Sequence, residues 1–221
     1  MNRSVCALVS GGLDSCVMLA ELAKRYRQVF PLYVRQGLVW EKMELHALRR
    51  FLRDAKLKRV RPLTILELPA SDIYGKHWSA TGHHVPGATS LAEAVYLPGR
   101  NLMLLSKAAV FCALHKIPVI TVGSLRGNPF PDATPAFFRN FAATAGKALG
   151  FRCWVVAPFR NLTKLQVVRR GQELPLHLSF CCIAPHCGRH CGRCNKCAER
   201  QESFYAAGST DDTRYAKPSK F

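Results

Sequence analysis

The feature that most constrains this chain is Ser10-Gly11-Gly12-Leu13-Asp14-Ser15, placed where a short apolar run gives way to an amphipathic stretch. Residues 5–9 read as a buried parallel strand. Residues 13–26 carry Leu13, Val17, Leu19, Leu22 and Ala23 at helical spacing. Paired glycines between the two allow positive φ and a close approach of backbone to a ligand. The helix start behind them offers free amides and the positive end of its dipole, so the turn is built for an anion. The Ser10 and Ser15 hydroxyls can add donors. Asp14 beside a phosphate has to be offset, and it can either cap the helix or hold a magnesium ion. The string lacks the G-x-x-x-x-G-K-[ST] spacing of common phosphate loops, and the lysine that closes it.

The alternation of strand and helix continues down the chain. Residues 29–34 and 60–68 read as further strands around a charged, leucine-rich helix at 41–57. A helix at 101–115 introduced by Pro98-Gly99, a strand at 119–122, a helix at 135–149, a strand at 153–156 and a short helix at 163–170 follow. Such alternation predicts an α/β fold, a Rossmann-like parallel sheet covered by helices on both faces. Residues 71–96 hold glycines, prolines, His77, His83 and His84 without a clear period. They read as a long excursion over the active face. Residues 172–221 are organised around cysteines, not around an apolar core. The expected division is therefore an α/β domain at 1–171 and a small C-terminal unit with its tail at 172–221.

Of the ten cysteines, Cys6, Cys16, Cys112 and Cys153 sit singly among apolar neighbours, as small buried hydrophobes do. The other six fall between Cys181 and Cys197. Cys191-x2-Cys194-x2-Cys197 places three thiolates within one turn, the spacing of a tetrahedral zinc site. The fourth ligand comes from Cys181, Cys182, Cys187, His186 or His190. Cys182 closes the larger loop usual in four-cysteine sites and is the expected ligand. Four thiolates would make the zinc structural, with Arg189, Arg193, Lys196 and Arg200 placed to offset the charge of the centre. An iron–sulfur cluster or redox cysteines are the other accounts of the same spacing.

Basic residues exceed acidic ones by 18, which admits a polyanionic partner. The basic residues are dispersed, however, and no aromatic-interleaved stripe of the kind that stacks single strands stands out. An anionic small substrate, a thiolate centre and a solvated basic surface account for the excess. No membrane span and no secretory segment is read from the sequence, so a cytoplasmic protein is expected, although ten cysteines are many for a compartment where disulfides are rare.

SGGLDS resembles the signature of PP-loop enzymes, the adenine nucleotide α-hydrolases that cleave ATP between its α and β phosphates. Together with CGRCNKCAER near the end, it resembles the QueC family of 7-cyano-7-deazaguanine synthases. Leu97-Pro98-Gly99-Arg100-Asn101 is similar to the family's P-x-R-N segment, and residues 123–132, GSLRGNPFPD, to its loop ending in "YPD", although NPFPDAT departs from that form. Residues 158–164, PFRNLTK, are similar to its lysine-bearing stretch. The family's zinc ligands fall on Cys182, Cys191, Cys194 and Cys197, and Cys181 stands where the family usually has serine.

The resemblance implies queuosine-pathway chemistry, in which the carboxylate of 7-carboxy-7-deazaguanine attacks the α-phosphate of ATP. Ammonia then displaces AMP to give an amide, and a second ATP drives its conversion to the nitrile. On that reading Ser10, Gly11, Gly12, Leu13, Asp14 and Ser15 hold the phosphates, Asp14 through magnesium. Arg100 and Asn101 contact the nucleotide or deazapurine, Lys164 neutralises charge at the α-phosphate, and Asp132 accepts from the deazaguanine N–H edge. Plainer roles exist for three of these: an exposed helix-end arginine, a turn aspartate before Pro135 and a solvated first-turn lysine.

Three rivals are kept. A QueC-like enzyme can join the activated carboxylate to a protein or RNA acceptor. A tRNA-modifying PP-loop enzyme would use the positive charge for affinity. A non-catalytic zinc-stabilised nucleotide-binding module is the third. A homodimer is an expectation of the resemblance alone.

Overall fold

The computed structural model describes residues 4–217. Five strands, β1 (Ser4–Leu8), β2 (Gln28–Arg35), β3 (Thr64–Glu67), β4 (Val119–Thr121) and β5 (Trp154–Val156), form one parallel sheet in the order β3-β2-β1-β4-β5. The helices are α1 (Leu13–Arg25), α2 (Glu41–Asp54), α3 (Ser71–Tyr74), α4 (Trp78–Thr81), α5 (Arg100–Leu114), α6 (Pro135–Leu149), α7 (Lys164–Arg170) and α8 (Asn195–Ala207).

The two-residue period of a strand sorts the core into two layers. From β1, Val5 and Ala7 pack on one face with Val17 of α1, Leu48 of α2, Val167 of α7 and Phe204 of α8. Cys6 faces the other way, against Leu105, Ala108 and Cys112 of α5 and Phe138 of α6. The sheet is thus covered on both faces, as the strand–helix alternation predicts. The chain adds strands outward to one side of β1 and then, from β4, to the other, and this switch opens a crevice beyond the carboxyl ends of β1 and β4, the place where ligands bind in open parallel sheets. The turn after β1 and the loop after β4 meet there. A methyl group on Gly123 would lie 3.6 Å from the Asp14 Cβ.

Two elements are shorter than the sequence predicts. The strand expected over 60–68 is reduced to β3, because Pro62 has no N–H for the ladder and Arg59 takes a φ of +70°. Val60 keeps only a single bridge to Val29. The helix expected over 41–57 stops at Asp54, just before Lys56 turns to positive φ.

The excursion over 71–96 is not featureless. It forms α3 and α4, and His77 caps α4 by accepting from the Ser79 amide. Trp78 stacks on Trp40, and Val95, Tyr96 and the adjoining Leu97 line the crevice.

Residues 172–217 contain α8, a helix that the sequence reading leaves out. Phe204 and Ala207 on that helix join the same core cluster as α1 and α7. The far end of α8 therefore packs into that core, while the four clustered cysteines sit in a separate buried cluster with Leu38, Trp40 and Phe180.

Candidate active site and metal centre

One cavity at the carboxyl ends of β1 and β4 brings together Ser10, Gly12, Asp14 and Ser15 with Arg100, Asn101 and Asp132. Gly11 has φ +80°, and helix α1 starts one residue after Gly12 with no side chain capping it. Its first-turn amides are therefore unclaimed by a cap, the arrangement that an anion site at a helix start requires. Leu13 contributes only backbone, since its side chain is buried in the core. The serines brace the turn. The Ser10 and Ser15 hydroxyls lie 2.8 Å apart, Ser15 Oγ accepts from the Ser10 amide, and Ser10 Oγ accepts from the Gly12 amide.

Asp14 does not cap α1, the first of the two roles open to it in the sequence. Its Oδ2 is the ion-pair partner of Lys164 Nζ, while its Oδ1 is buried with no hydrogen-bond partner among the described residues. Lys164 is the first residue of α7. Its position is set by a capping box: Thr163 Oγ1 accepts from the Gln166 amide, and Gln166 Oε1 from the Thr163 amide. Lys164 Nζ also lies 3.7 Å from Glu199 Oε1. Burial works against the lysine's charge, but Asp14 and Glu199 outweigh it and hold the ammonium group well above its usual range. Burial raises the Glu199 carboxyl too, and Lys164 and Lys196 overcome that to keep it below its usual range. Glu199 sits two residues after Cys197 on α8, so the helix that carries one of the four clustered cysteines also holds the lysine paired with Asp14.

Arg100 opens α5 and lines the cavity, with its Nε donating to Gln36 Oε1 at 3.2 Å and its guanidinium 6.0 Å from the Trp40 ring centre. Asn101 is pinned to Asp132. Its amide donates to Asp132 Oδ2 at 2.8 Å, and its side-chain nitrogen to the Asp132 carbonyl and Oδ1. Asp132 is buried and caps α5 through this contact. Each carboxylate oxygen keeps a further lone pair beyond those bonds. Phe130, which stands where the resembling motif has tyrosine, stacks on Tyr96 with centroids 5.0 Å apart, and both line the cavity.

The four cysteines read as ligands converge. Sulfur atoms of Cys182, Cys191, Cys194 and Cys197 all lie within 4.8 Å of one another, and all four residues are buried. The Cys191–Cys197 and Cys182–Cys194 sulfurs are 3.9 and 3.8 Å apart. A tetrahedral zinc with metal–sulfur bonds of about 2.3 Å requires edges of about 3.8 Å, so the donor set fits such an ion. Amides of Arg193 and Cys194 donate to Cys191 Sγ, and the Cys191 amide to Cys182 Sγ, as thiolates of a metal centre accept.

Three of the four alternative fourth ligands are engaged or placed otherwise. Cys181 Sγ contacts the Lys196 carbonyl, His190 Nε2 accepts from the Cys181 amide, and Cys187 is exposed. Of the four basic residues expected to offset the centre, Arg200 is committed to Asp211, Ser179 and the Leu176 carbonyl, and Lys196 to Glu199.

Three cavity or lysine partners escape the sequence reading: Tyr33, Glu44 and Glu199. Glu44 has a local signal, an acid on the apolar side of α2 three residues after Glu41. Glu199 has none, since its partner is far away in the chain.

What fold and site define is a parallel α/β protein with an uncapped glycine turn at its switch point and a four-cysteine group able to hold a metal ion. A family profile described as "Queuosine biosynthesis protein QueC" matches residues 4–208. The chain belongs to the QueC family, and with that family it is an enzyme. Relatives named 7-cyano-7-deazaguanine synthase include those of Azoarcus sp. (strain BH72), 32% identical over 94% of this chain and 95% of that one, and Pseudomonas fluorescens (strain SBW25), 31% identical over 97% and 99%. The 7-cyano-7-deazaguanine synthase 1 of Desulfitobacterium hafniense (strain Y51) is 30% identical over 92% of each chain. Among solved structures, a predicted subunit of tRNA methyltransferase from Methanocaldococcus jannaschii shares the fold, with a TM-score of 0.50 and 13% identity over 77% of this chain and 75% of that one. No helix among the described residues is long and apolar enough to cross a membrane.

Proposed function

We propose that this enzyme converts 7-carboxy-7-deazaguanine and ammonia to 7-cyano-7-deazaguanine, splitting ATP to AMP and pyrophosphate through acyl-adenylate and amide intermediates. The observation that carries this reading is the meeting of the uncapped α1 turn with Arg100, Asn101 and Asp132 in one cavity. A carboxylate must be brought in line with a phosphorus already ringed by negative oxygens, so positioning and charge neutralisation are what the chain has to supply. The amides of Gly11, Gly12, Leu13, Asp14 and Ser15, with the hydroxyls of Ser10 and Ser15, hold the phosphates. Arg100 meets the nucleotide or the deazapurine, and Asn101 acts chiefly by fixing Asp132. The remaining lone pairs of Asp132 accept from the deazaguanine N–H edge.

Asp14 is suited to hold magnesium, given an oxygen without a partner and a second one shared with Lys164. The ion would supply charge neutralisation at the phosphates. Lys164 then passes from Asp14 to the α-phosphate while Glu199 keeps it near. Zinc on Cys182, Cys191, Cys194 and Cys197 is structural, because four thiolates leave no open position. We place the division between catalytic domain and zinc-binding unit at 171/172, and the enzyme in the cytoplasm, where thiols stay reduced. The names of the relatives do not favour a protein or RNA acceptor, nor a tRNA-modifying activity.

Incubation with ATP, magnesium, 7-carboxy-7-deazaguanine and ammonium is expected to release pyrophosphate and yield nitrile by mass spectrometry. Pyrophosphate without nitrile, or release that depends on tRNA, would overturn this reading. Lys164→Met is expected to slow pyrophosphate release about 10²- to 10³-fold, the usual loss when one preorganised charge-stabilising group is removed. Stopped-flow assays of pyrophosphate release at saturating ATP check this, and an unchanged rate removes the lysine from the chemistry.

A further inference from the structure

One buried acid of the cavity has no part in the roles above. Glu44 lies on the inward side of α2, 6% exposed, and lines the cavity with Ser10, Gly12, Asp14 and Arg100. Its Oε2 accepts from the Tyr33 hydroxyl at 2.7 Å. Among the described residues, no lysine, arginine or histidine nitrogen comes within 4.0 Å of either oxygen. Arg100, which lines the same cavity, spends its Nε on Gln36.

Glu41, also buried, makes the contrast. It accepts from the Gln36 and Gly37 amides, and Arg35 Nε lies 3.9 Å away. Glu41 is satisfied by the protein itself. Glu44 leaves an acceptor in a ligand cavity, next to a turn that is to hold polyphosphate. A bare carboxylate there would repel that ligand and pay the desolvation of its own charge. The arrangement makes sense if a small cation or a proton belongs on it.

We propose that the Glu44 carboxylate, oriented by Tyr33, receives the nitrogen co-substrate as ammonium and removes its proton. The proposal rests on the function given above and names the group that serves its second substrate. Ammonium has four N–H donors, no lone pair and no nucleophilicity. Transfer of one proton to Glu44 leaves ammonia with a free pair. That pair forms the C–N bond to the acyl carbon, the bond from that carbon to the AMP oxygen breaks with its electrons staying on AMP, and the extra proton on the new nitrogen passes to solvent.

The groups facing Glu44 suit a proton acceptor. Burial, helped by Glu41 on its own helix, outweighs the pull of Arg100 from α5 and of the Tyr33 bond from β2, and the carboxyl is pushed up to about 7. Cys16 from α1, itself pushed up by burial, stays a neutral thiol nearby. Proton exchange near neutrality is where general bases work best.

Glu44→Gln keeps the shape and removes both charge and basicity. At neutral pH its ammonium-dependent product formation is expected to fall about 10²-fold, the ordinary worth of a general base, with a raised KM for ammonium and far less effect on pyrophosphate release. Hydroxylamine needs no proton removed at that pH, so it should restore turnover in the variant and give the hydroxamate. Tyr33→Phe retains the base and should show a smaller loss of the same kind. Ammonium use by Glu44→Gln equal to the wild type would overturn the proposal. So would a parallel loss of pyrophosphate release with no hydroxylamine rescue, which would assign Glu44 to building the turn.

A second readout does not depend on the reaction. Ammonium chloride should raise the melting temperature above that in tetramethylammonium chloride at equal ionic strength, and Glu44→Gln should abolish the difference. If the wild type releases no pyrophosphate with the deazapurine acid, the assigned reaction fails, and this thermal comparison still decides the cation site. No ammonium-specific shift in the wild type sinks it.

Discussion

Cys194→Ser is expected to release the metal and unfold the segment around residues 182–197, at a cost of about 5 kcal/mol or more. Structural zinc contributes about 10–16 kcal/mol of binding free energy to folding in small domains, and losing one thiolate forfeits a large part of it. The sulfurs are not peripheral here. They belong to a buried cluster with Leu38, Trp40, Val95, Leu97, Phe180 and Ile183, and Val95 and Leu97 also line the cavity beside the glycine turn. The Phe180 amide, two residues before Cys182, donates to the Gly11 carbonyl. Release of the metal should therefore disturb the phosphate turn as well as the cysteine loop, and activity should fall with stability. Elemental analysis of the wild type should find about one zinc per chain with neither iron nor sulfide. The variant should lack it, melt far lower and be cleaved by protease near residues 185–190. Native melting and native metal content in the variant would contradict a structural metal at these four residues.

How much of this was legible in the residues depended on whether the signal was local. Strand β1, the glycine turn and α1 are written contiguously, so the two-residue and helical periods and the paired glycines expose them. The same holds for α6, whose predicted bounds, residues 135–149, coincide with those found. The choice of Cys182 as fourth thiolate also came from spacing, and the clustering of the four sulfurs agrees with it.

Helix α8 was hidden because its buried face is not apolar. Cys197, Arg200, Gln201 and Ser203 occupy it with Phe204 and Ala207, and an arginine is tolerated there only because Asp211 and Ser179 satisfy it. The Asp14–Lys164 pair joins positions 150 residues apart, and the Tyr33–Glu44 bond joins a strand to a helix. Partnerships of this kind arise from the sheet order and leave no periodic trace. They are also what gives the cavity its chemistry: each places a charge beside the turn that the turn itself does not contain.

Gly11→Ala separates that turn from its surroundings, and the expected result is loss of both activity and stability. The φ of +80° at Gly11 lies in the left-handed region, which costs a non-glycine residue roughly 1–2 kcal/mol. Space is the larger obstacle. An added Cβ would stand 2.8 Å from the Glu44 carbonyl oxygen and 3.0 Å from the Leu48 Cβ. The first is backbone in the first turn of α2, and the second belongs to a side chain buried in the main core, so neither can withdraw cheaply. Overpacking of that kind typically adds about 1–3 kcal/mol, and the combined loss should be about 2–5 kcal/mol. Gly12→Ala is the control. Gly12 has an ordinary φ of −69°, and its added Cβ would meet Ser10 Oγ at 3.2 Å, the end of a side chain that can turn away. Its stability should change by less than about 1 kcal/mol, while its methyl group and the displaced serine hydroxyl stand where the phosphates are to sit. Chemical denaturation with isothermal titration of a non-hydrolysable ATP analogue separates the two: Gly11→Ala should fail on both, Gly12→Ala on nucleotide alone. If both variants bind the analogue as the wild type does, the triphosphate lies elsewhere in the molecule, and the uncapped amides of α1 have another use.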